Sequence, residues 1–184
     1  MKYILLIIDP QNDFTHINGH YATRHGIKQI SEAKSKINLL AALAEIDTVI
    51  VRADYKPDQF EDGVSMAIPG TFGHEIDAEI VIPKNTIVLT KREHSCFSSN
   101  DFQNLLAELE IDTLLICGFL AEHCIKQTAL DALNKGYRVI LVKDCIGTGD
   151  DVQHRIRTVF AELAQQGCTV LNAADFLKVK QGIN

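Results

Sequence analysis

Short, unbroken apolar runs alternate along this chain with longer amphipathic stretches. Residues 3–8, Tyr-Ile-Leu-Leu-Ile-Ile, carry no polar position and stop at Asp9-Pro10. A run too short for a helix and without alternation predicts a strand buried on both faces, as in a parallel sheet covered by helices. The polar residues 9–26 read as a loop. Residues 27–44 read as a helix with Ile30, Ala33, Ile37, Leu40, Ala41 and Ala44 on one face. Buried-strand runs recur at 48–52 and at 86–90, the latter leading into Lys91. Residues 53–85 between them show no period. Pro57, Pro69 and Pro83 with Gly63, Gly70 and Gly73 punctuate them, and only 74–80 suggests a short helix. A loop this long inside a compact domain is usually a lid or a substrate wall.

Beyond residue 98 the alternation is regular. Helices are predicted over 99–109 (capped by Ser98 or Ser99), 124–135 (stopped by Gly136), 151–165 and 173–179. Strands are predicted over 113–117, 138–142 (ending in Lys143-Asp144) and 169–171. Strands alternating with helices imply right-handed crossovers. The expected fold is α/β, a doubly wound three-layer sandwich with a six-stranded, mostly parallel sheet in the order 3-2-1-4-5-6. One domain is expected over residues 1–184. Such sheets bind ligands beyond the carboxyl ends of their strands, where the order reverses between strands 1 and 4. Asp9 ends strand 1 and Cys124 lies just past strand 4, so both flank that crevice. Lys91 ends strand 3 on the same rim and must reach inward.

Composition narrows the function classes. The net charge is −6 with no basic run, which argues against a nucleic-acid surface or a polybasic membrane patch. The five cysteines, 96, 117, 124, 145 and 168, are odd in number, widely spaced and free of any C-x-x-C pair. That speaks against a disulfide framework or zinc knuckle and for a reducing, cytoplasmic setting. The opening apolar run is too short for a signal peptide and ends in an aspartate. No run approaches the ~20 residues of a membrane span.

Cys124 is the residue with the most reactive chemistry available to it. A thiol at a strand-to-helix turn lies near unpaired N–H groups and the positive end of the helix dipole, which favour a thiolate. A carboxylate such as Asp9 can take its proton, and a cation such as Lys91 can hold that carboxylate. The turn Gly118-Phe119-Leu120-Ala121 offers no side-chain donors, so backbone N–H groups would have to hold an oxyanion. Each residue also has a plainer reading. Cys124 suits a core position, as most free cysteines do. Asp9 suits a turn, Asp13 suits ordering the same loop, and Lys91-Arg92 suits solvated surface. His94 and His123 lack a spaced partner and read as wall or surface residues. Gly147-Thr148-Gly149 lacks the third glycine of a phosphate loop. The other four cysteines read as packing. A receiver-like signalling pocket built from Asp9, Asp13, Asp54 and Lys91 is a reading from another class. It suits a shorter chain, places Asp54 after strand 2 and leaves Cys124 without a role.

Three segments resemble the isochorismatase-like cysteine hydrolases. These are Ile-Leu-Leu-Ile-Ile-Asp9-Pro-Gln-Asn-Asp13-Phe14, then Leu-Thr-Lys91 with Ser95-Cys-Phe97, then Gly118-Phe-Leu-Ala-Glu-His-Cys124-Ile. Their order and spacing are similar to the family's over nearly the whole chain. The resemblance implies a Cys124-Asp9-Lys91 triad and a cis peptide at Phe119–Leu120. It further implies an oxyanion hole from the Leu120 and Cys124 N–H groups, and Phe14 and Phe119 facing the substrate. The implied activity is hydrolysis of a small amide or related C–N bond through a thioester. The partners implied are a small-molecule amide and a second copy of the chain, with neither nucleic acid nor membrane. Vinyl-ether hydrolysis is the alternative within the family, and an inactive scaffold is a further one. The segment from Cys124 to Val139, and Asp144-Cys145, look most like nicotinamidases, which carry a metal on an Asp-x-His motif. Here Asp54-Tyr55-Lys56 keeps the aspartate but has lysine for histidine, and near 68–71 the aligned residue is Met66. No cofactor is therefore expected, with Asp54 the one weak candidate for a metal.

Overall fold

The computed structural model describes residues 2–43, 46–60 and 65–180. Six strands form one sheet: β1 (Tyr3–Ile8), β2 (Thr48–Ala53), β3 (Ile87–Lys91), β4 (Thr113–Phe119), β5 (Arg138–Gly147) and β6 (Thr169–Leu171). Their order is β3-β2-β1-β4-β5-β6 and every pairing is parallel. Among the described residues, seven α-helices accompany them: α1 (Asn12–Thr15), α2 (Ala22–His25), α3 (Lys28–Leu43), α4 (Asn100–Glu108), α5 (Lys126–Asn134), α6 (Gln153–Gln165) and α7 (Ala173–Lys180). Among the described residues, no helix is long and apolar enough to cross a membrane.

The unbroken apolar runs serve two cores at once. Successive strand side chains point to opposite faces. Ile4, Leu6 and Ile8 of β1 therefore join Phe102 of α4, Ala129 of α5 and Val159 of α6. Leu5 and Ile7 join Ile30, Ile37 and Leu40 of α3 and Phe176 of α7. Each fully buried isoleucine or leucine is worth ~1.5–3 kcal/mol, so β1 alone anchors both layers. β3 lies at the sheet edge and is largely exposed until Lys91, which is buried.

Several boundaries differ from the sequence prediction, each for a tertiary reason. β5 does not stop at Lys143-Asp144 but runs to Gly147, because Cys145 and Ile146 return to the core. Its register against β4 shifts between Ile116 and Gly118, after which Gly118 faces Ile146. The polar segment after β1 contains α1 and α2. The stretch predicted as a short helix at 74–80 is irregular: a 3-10 turn, Phe72–His74, ends where it would begin. Ser99 is the cap of α4, its hydroxyl accepting from the Phe102 N–H at 3.4 Å. The N-terminus of α3 is capped from far away. Asp150 accepts from the Lys28 and Gln29 N–H groups at 2.9 Å each, satisfying donors the helix leaves open. The helix predicted from Cys124 begins earlier, as a π turn over Ala121–Ile125 that passes into α5.

Candidate active site

The carboxyl ends of β1, β3 and β4 bring Asp9, Lys91 and Cys124 together. Asp9 follows β1 directly and has a positive φ of 50°, a conformation aspartate tolerates better than most residues. Its N–H donates to Val51 O at 3.0 Å, which ties the turn to β2. Lys91 is the last residue of β3, paired in register with Ala53. Its side chain crosses from the sheet edge to the centre, placing Nζ 3.0 Å from Asp9 Oδ2. Both side chains are wholly shielded from solvent. Cys124 sits in the π turn, whose i→i+5 bond runs from the Ile125 N–H to Leu120 O at 3.3 Å. Such single π turns occur often at functional sites. Gly118 makes the approach of β4 possible: at its φ of +117° a Cβ would lie 2.2 Å from Ile8 O. The Phe119–Leu120 peptide, singled out by the sequence resemblance, is cis.

A fourth group completes the cluster. The Tyr55 hydroxyl accepts from Lys91 Nζ at 3.0 Å and lies 3.4 Å from Cys124 Sγ. Lys91 Nζ also donates to Glu93 O at 3.0 Å and approaches the sulfur at 3.4 Å. His94 Nδ1 is 3.7 Å from the sulfur and 3.5 Å from the Tyr55 hydroxyl. The sequence passed over Tyr55. Its place beside Asp54, at the carboxyl end of a strand lining the crevice, was the signal available.

Electrostatics set the resting protonation. Burial pushes the Asp9 carboxyl above its usual 3.8, and the Lys91 charge offsets only part of this. Neither Asp9 oxygen receives a well-aligned hydrogen bond from the described residues. Burial would lower Lys91, but Asp9, Cys124 and Tyr55 outweigh it and hold the ammonium charged. Burial and then Asp9 push the Cys124 thiol up, with Lys91 opposing them, so the resting proton is on sulfur. Tyr55 is raised by burial, then by Cys124 and Asp9, and stays a phenol. At rest Lys91 is therefore an ammonium, and the Cys124 thiol and Tyr55 phenol keep their protons. The other four cysteines are free, buried and pushed up by burial, Cys96 to about 12 and Cys168 to about 11, as packing residues should be.

A cavity of about 150 Å³ opens over the sulfur, lined by Phe14, Phe60, Met66 and Leu120 with Tyr55, His94 and His123. It is smaller than the ~300–1,000 Å³ of drug-sized ligand sites. Phe14 lines this cavity. Phe119 does not: it is fully buried and packs on Gly147, where a Cβ would come within 2.7 Å of its ring. His94 and His123 stack on one another at 5.5 Å.

The polar residues after Asp9 hold the far wall in place. Gln11 is fully buried. Its amide donates to Ala53 O and His74 O at 2.9 Å each and accepts from the Ala53 N–H at 2.7 Å. Asn12 donates to Phe72 O at 2.9 Å. Asp13 accepts from the Ala67 N–H at 2.7 Å and packs on Gly73, so it orders the loop and stays out of the triad. Gly147-Thr148-Gly149 forms no phosphate cradle. Thr148 is buried and bonded to Glu122 at 2.7 Å and to Tyr21 at 3.1 Å.

Asp54 pairs with His74, a histidine twenty residues on that the sequence reading missed. The loop carrying His74 folds back through Gln11, a contact no local pattern reveals. Lys56, in place of the motif histidine, is exposed. No third histidine, cysteine or carboxylate joins the pair among the described residues. Two groups already bonded to each other fall short of the three protein ligands a catalytic metal takes, so these residues do not fit one.

Residues 3–175 match the family model described as Isochorismatase domain. The chain belongs to the isochorismatase family. As a hydrolase of that family it is 28% identical to maleamate amidohydrolase of Pseudomonas putida, over 79% of this chain and 72% of that one. It is 26% identical to nicotinamidase of Escherichia coli, over 94% of this chain and 95% of that one. An isochorismatase-like hydrolase from Alkaliphilus metalliredigens shares the fold, with a TM-score of 0.85 at 22% identity, covering 97% and 99% of the two chains.

Proposed function

We propose that this isochorismatase-family hydrolase cleaves a small amide through a thioester on Cys124. The observation that carries the reading is the buried contact of Lys91 with both Asp9 and the Cys124 sulfur, at 3.0 and 3.4 Å, beneath a cavity of about 150 Å³. Relatives named for maleamate and nicotinamide hydrolysis support the amide class.

In this mechanism Asp9 takes the thiol proton as sulfur attacks the amide carbonyl carbon. The carbonyl π pair moves to oxygen, which the Leu120 and Cys124 N–H groups receive. Leu120 suits that role, since its N–H donates to no other described group. The tetrahedral adduct collapses, the C–N bond breaks, and the amine leaves with the proton from Asp9. Water then gives a proton to Asp9 and attacks the thioester. The acid departs, and Asp9 returns the proton to sulfur. Lys91 keeps Asp9 in place and balances the charge that moves between carboxylate and sulfur. No metal or cofactor enters the reading.

The test is ammonia release from a panel of small amides. Turnover of at least one is expected, with Cys124→Ala losing at least ~10³-fold. Full activity in Cys124→Ala would refute the thioester route.

A further inference from the structure

We propose that the cavity over Cys124 takes uncharged amides and excludes amides bearing a carboxylate close to the reacting carbonyl. This names the substrate class for the amidase reading above and rests on it.

Among the described residues the cavity wall holds no lysine or arginine: its apolar part is Phe14, Phe60, Met66 and Leu120. The nearest ammonium, Lys91, lies beneath the floor with its donors committed. It donates to the Tyr55 hydroxyl and Glu93 O at 3.0 Å each and to the Cys124 sulfur at 3.4 Å. A lysine has three N–H donors, so none is left for a substrate carboxylate. The charge on Lys91 is likewise balanced by Asp9 at 3.0 Å.

The remaining source of positive charge is imidazole. His94 is held face to face with Phe60, 4.8 Å between centroids and 5° between planes, with His123 stacked at 5.5 Å. Burial, then His123 and Lys91, lower the His94 pKa to about 4, so it is neutral at physiological pH. A carboxylate entering this cavity sheds its water and meets no counter-ion, which disfavours it strongly. A neutral amide loses far less and gains the aromatic and thioether surfaces. The net charge of −6 adds a long-range bias against anions.

Two electrophiles of matched size test this without a known substrate. Iodoacetamide and iodoacetate both alkylate thiolates and differ chiefly in charge. The experiment measures labelling of Cys124 in the folded protein at pH 8, where an imidazole of ordinary basicity is neutral. Peptide mass spectrometry assigns the site, and rates are normalised to a small free thiol. The expected result is a normalised preference for iodoacetamide of at least ~100-fold, which an unpaired buried carboxylate warrants. Met66→Arg, which adds a cation to the wall, should cut that preference at least ~10-fold, and Met66→Leu should leave it unchanged. A normalised ratio near one, a preference for iodoacetate, or no labelling by either reagent overturns the proposal. Charge selection without Cys124-dependent ammonia release would leave the cavity's preference standing and defeat the amidase reading alone.

Discussion

Lys34 and Lys91 each meet an aspartate inside the protein, at 2.8 Å to Asp77 and 3.0 Å to Asp9. Both carboxylates are fully buried. Their surroundings differ. Asp77 also accepts from the Thr15 hydroxyl at 2.7 Å and the Glu79 N–H at 2.9 Å. Burial raises its pKa, but Lys34, Glu79 and Thr15 together bring it below the usual 3.8. Asp9 has no comparable set of aligned donors, faces a thiol, and is raised. The same two residue types thus make a clamp in one place and a proton acceptor in the other. What separates them is how fully the carboxylate's hydrogen bonds are satisfied. A satisfied carboxylate holds its charge and fastens residues 77–80 to α3. An unsatisfied one has capacity left to bind a proton.

The sharpest break between the pairs is in rate. Asp9→Asn should lower kcat/KM by ~10²–10⁴-fold, the usual worth of a general base. Asp77→Asn should leave kcat per folded molecule within about two-fold, as no reacting atom lies near it. Steady-state ammonia release on both variants reads this.

Stability should separate the pairs less than rate does. Replacing the clamp by Lys34→Met with Asp77→Leu takes the acceptor from the Glu79 N–H and leaves the Thr15 hydroxyl with Gln11 O alone, at ~1–3 kcal/mol in all. Replacing the active pair by Lys91→Met with Asp9→Leu takes the Lys91 donor from the Tyr55 hydroxyl and Glu93 O and puts leucine at a φ of 50°, so it should cost at least as much. Urea unfolding of the two double variants measures the difference.

The pairs also have opposite acid behaviour. Asp77 is depressed when folded, so its stabilisation is full above the ordinary carboxylate pKa and fades as pH falls through its lower folded value. Asp9 is raised, so the folded protein binds its proton more readily. Stability therefore falls as pH rises from 3.8 through its folded value. Asp77→Asn should remove the first slope and Asp9→Asn the second, in unfolding curves taken from pH 2 upward. For the same reason, the acid limb of kcat/KM should lie above the ordinary carboxylate range. The smallest effect belongs to Tyr55→Phe. It removes a hydroxyl 3.4 Å from the sulfur and should lower kcat about 3–10-fold, the worth of one hydrogen bond.

Much of this was legible in the sequence because it follows from the alternation of apolar runs. Those runs determine the strand order, and the order puts Asp9 and Cys124 on one rim. Lys91 was legible as an inward-reaching end of an edge strand. What escaped were features decided by distant partners. Tyr55 and His74 lie in an aperiodic segment whose path depends on Gln11 and Asn12. β5 outruns its polar Lys143-Asp144 because the core resumes beyond them. Phe119 follows the motif that suggested a substrate contact, yet Gly147 leaves a space beside β5 that its ring fills.

The central claim is that Cys124 carries the acyl group. Acid quenching during turnover of an amide from the panel, followed by peptide mass spectrometry, tests it most directly. The account predicts an adduct of the acyl mass on Cys124, absent in Cys124→Ala. Steady turnover with the acyl group on another residue, or undiminished turnover in Cys124→Ala, would contradict it.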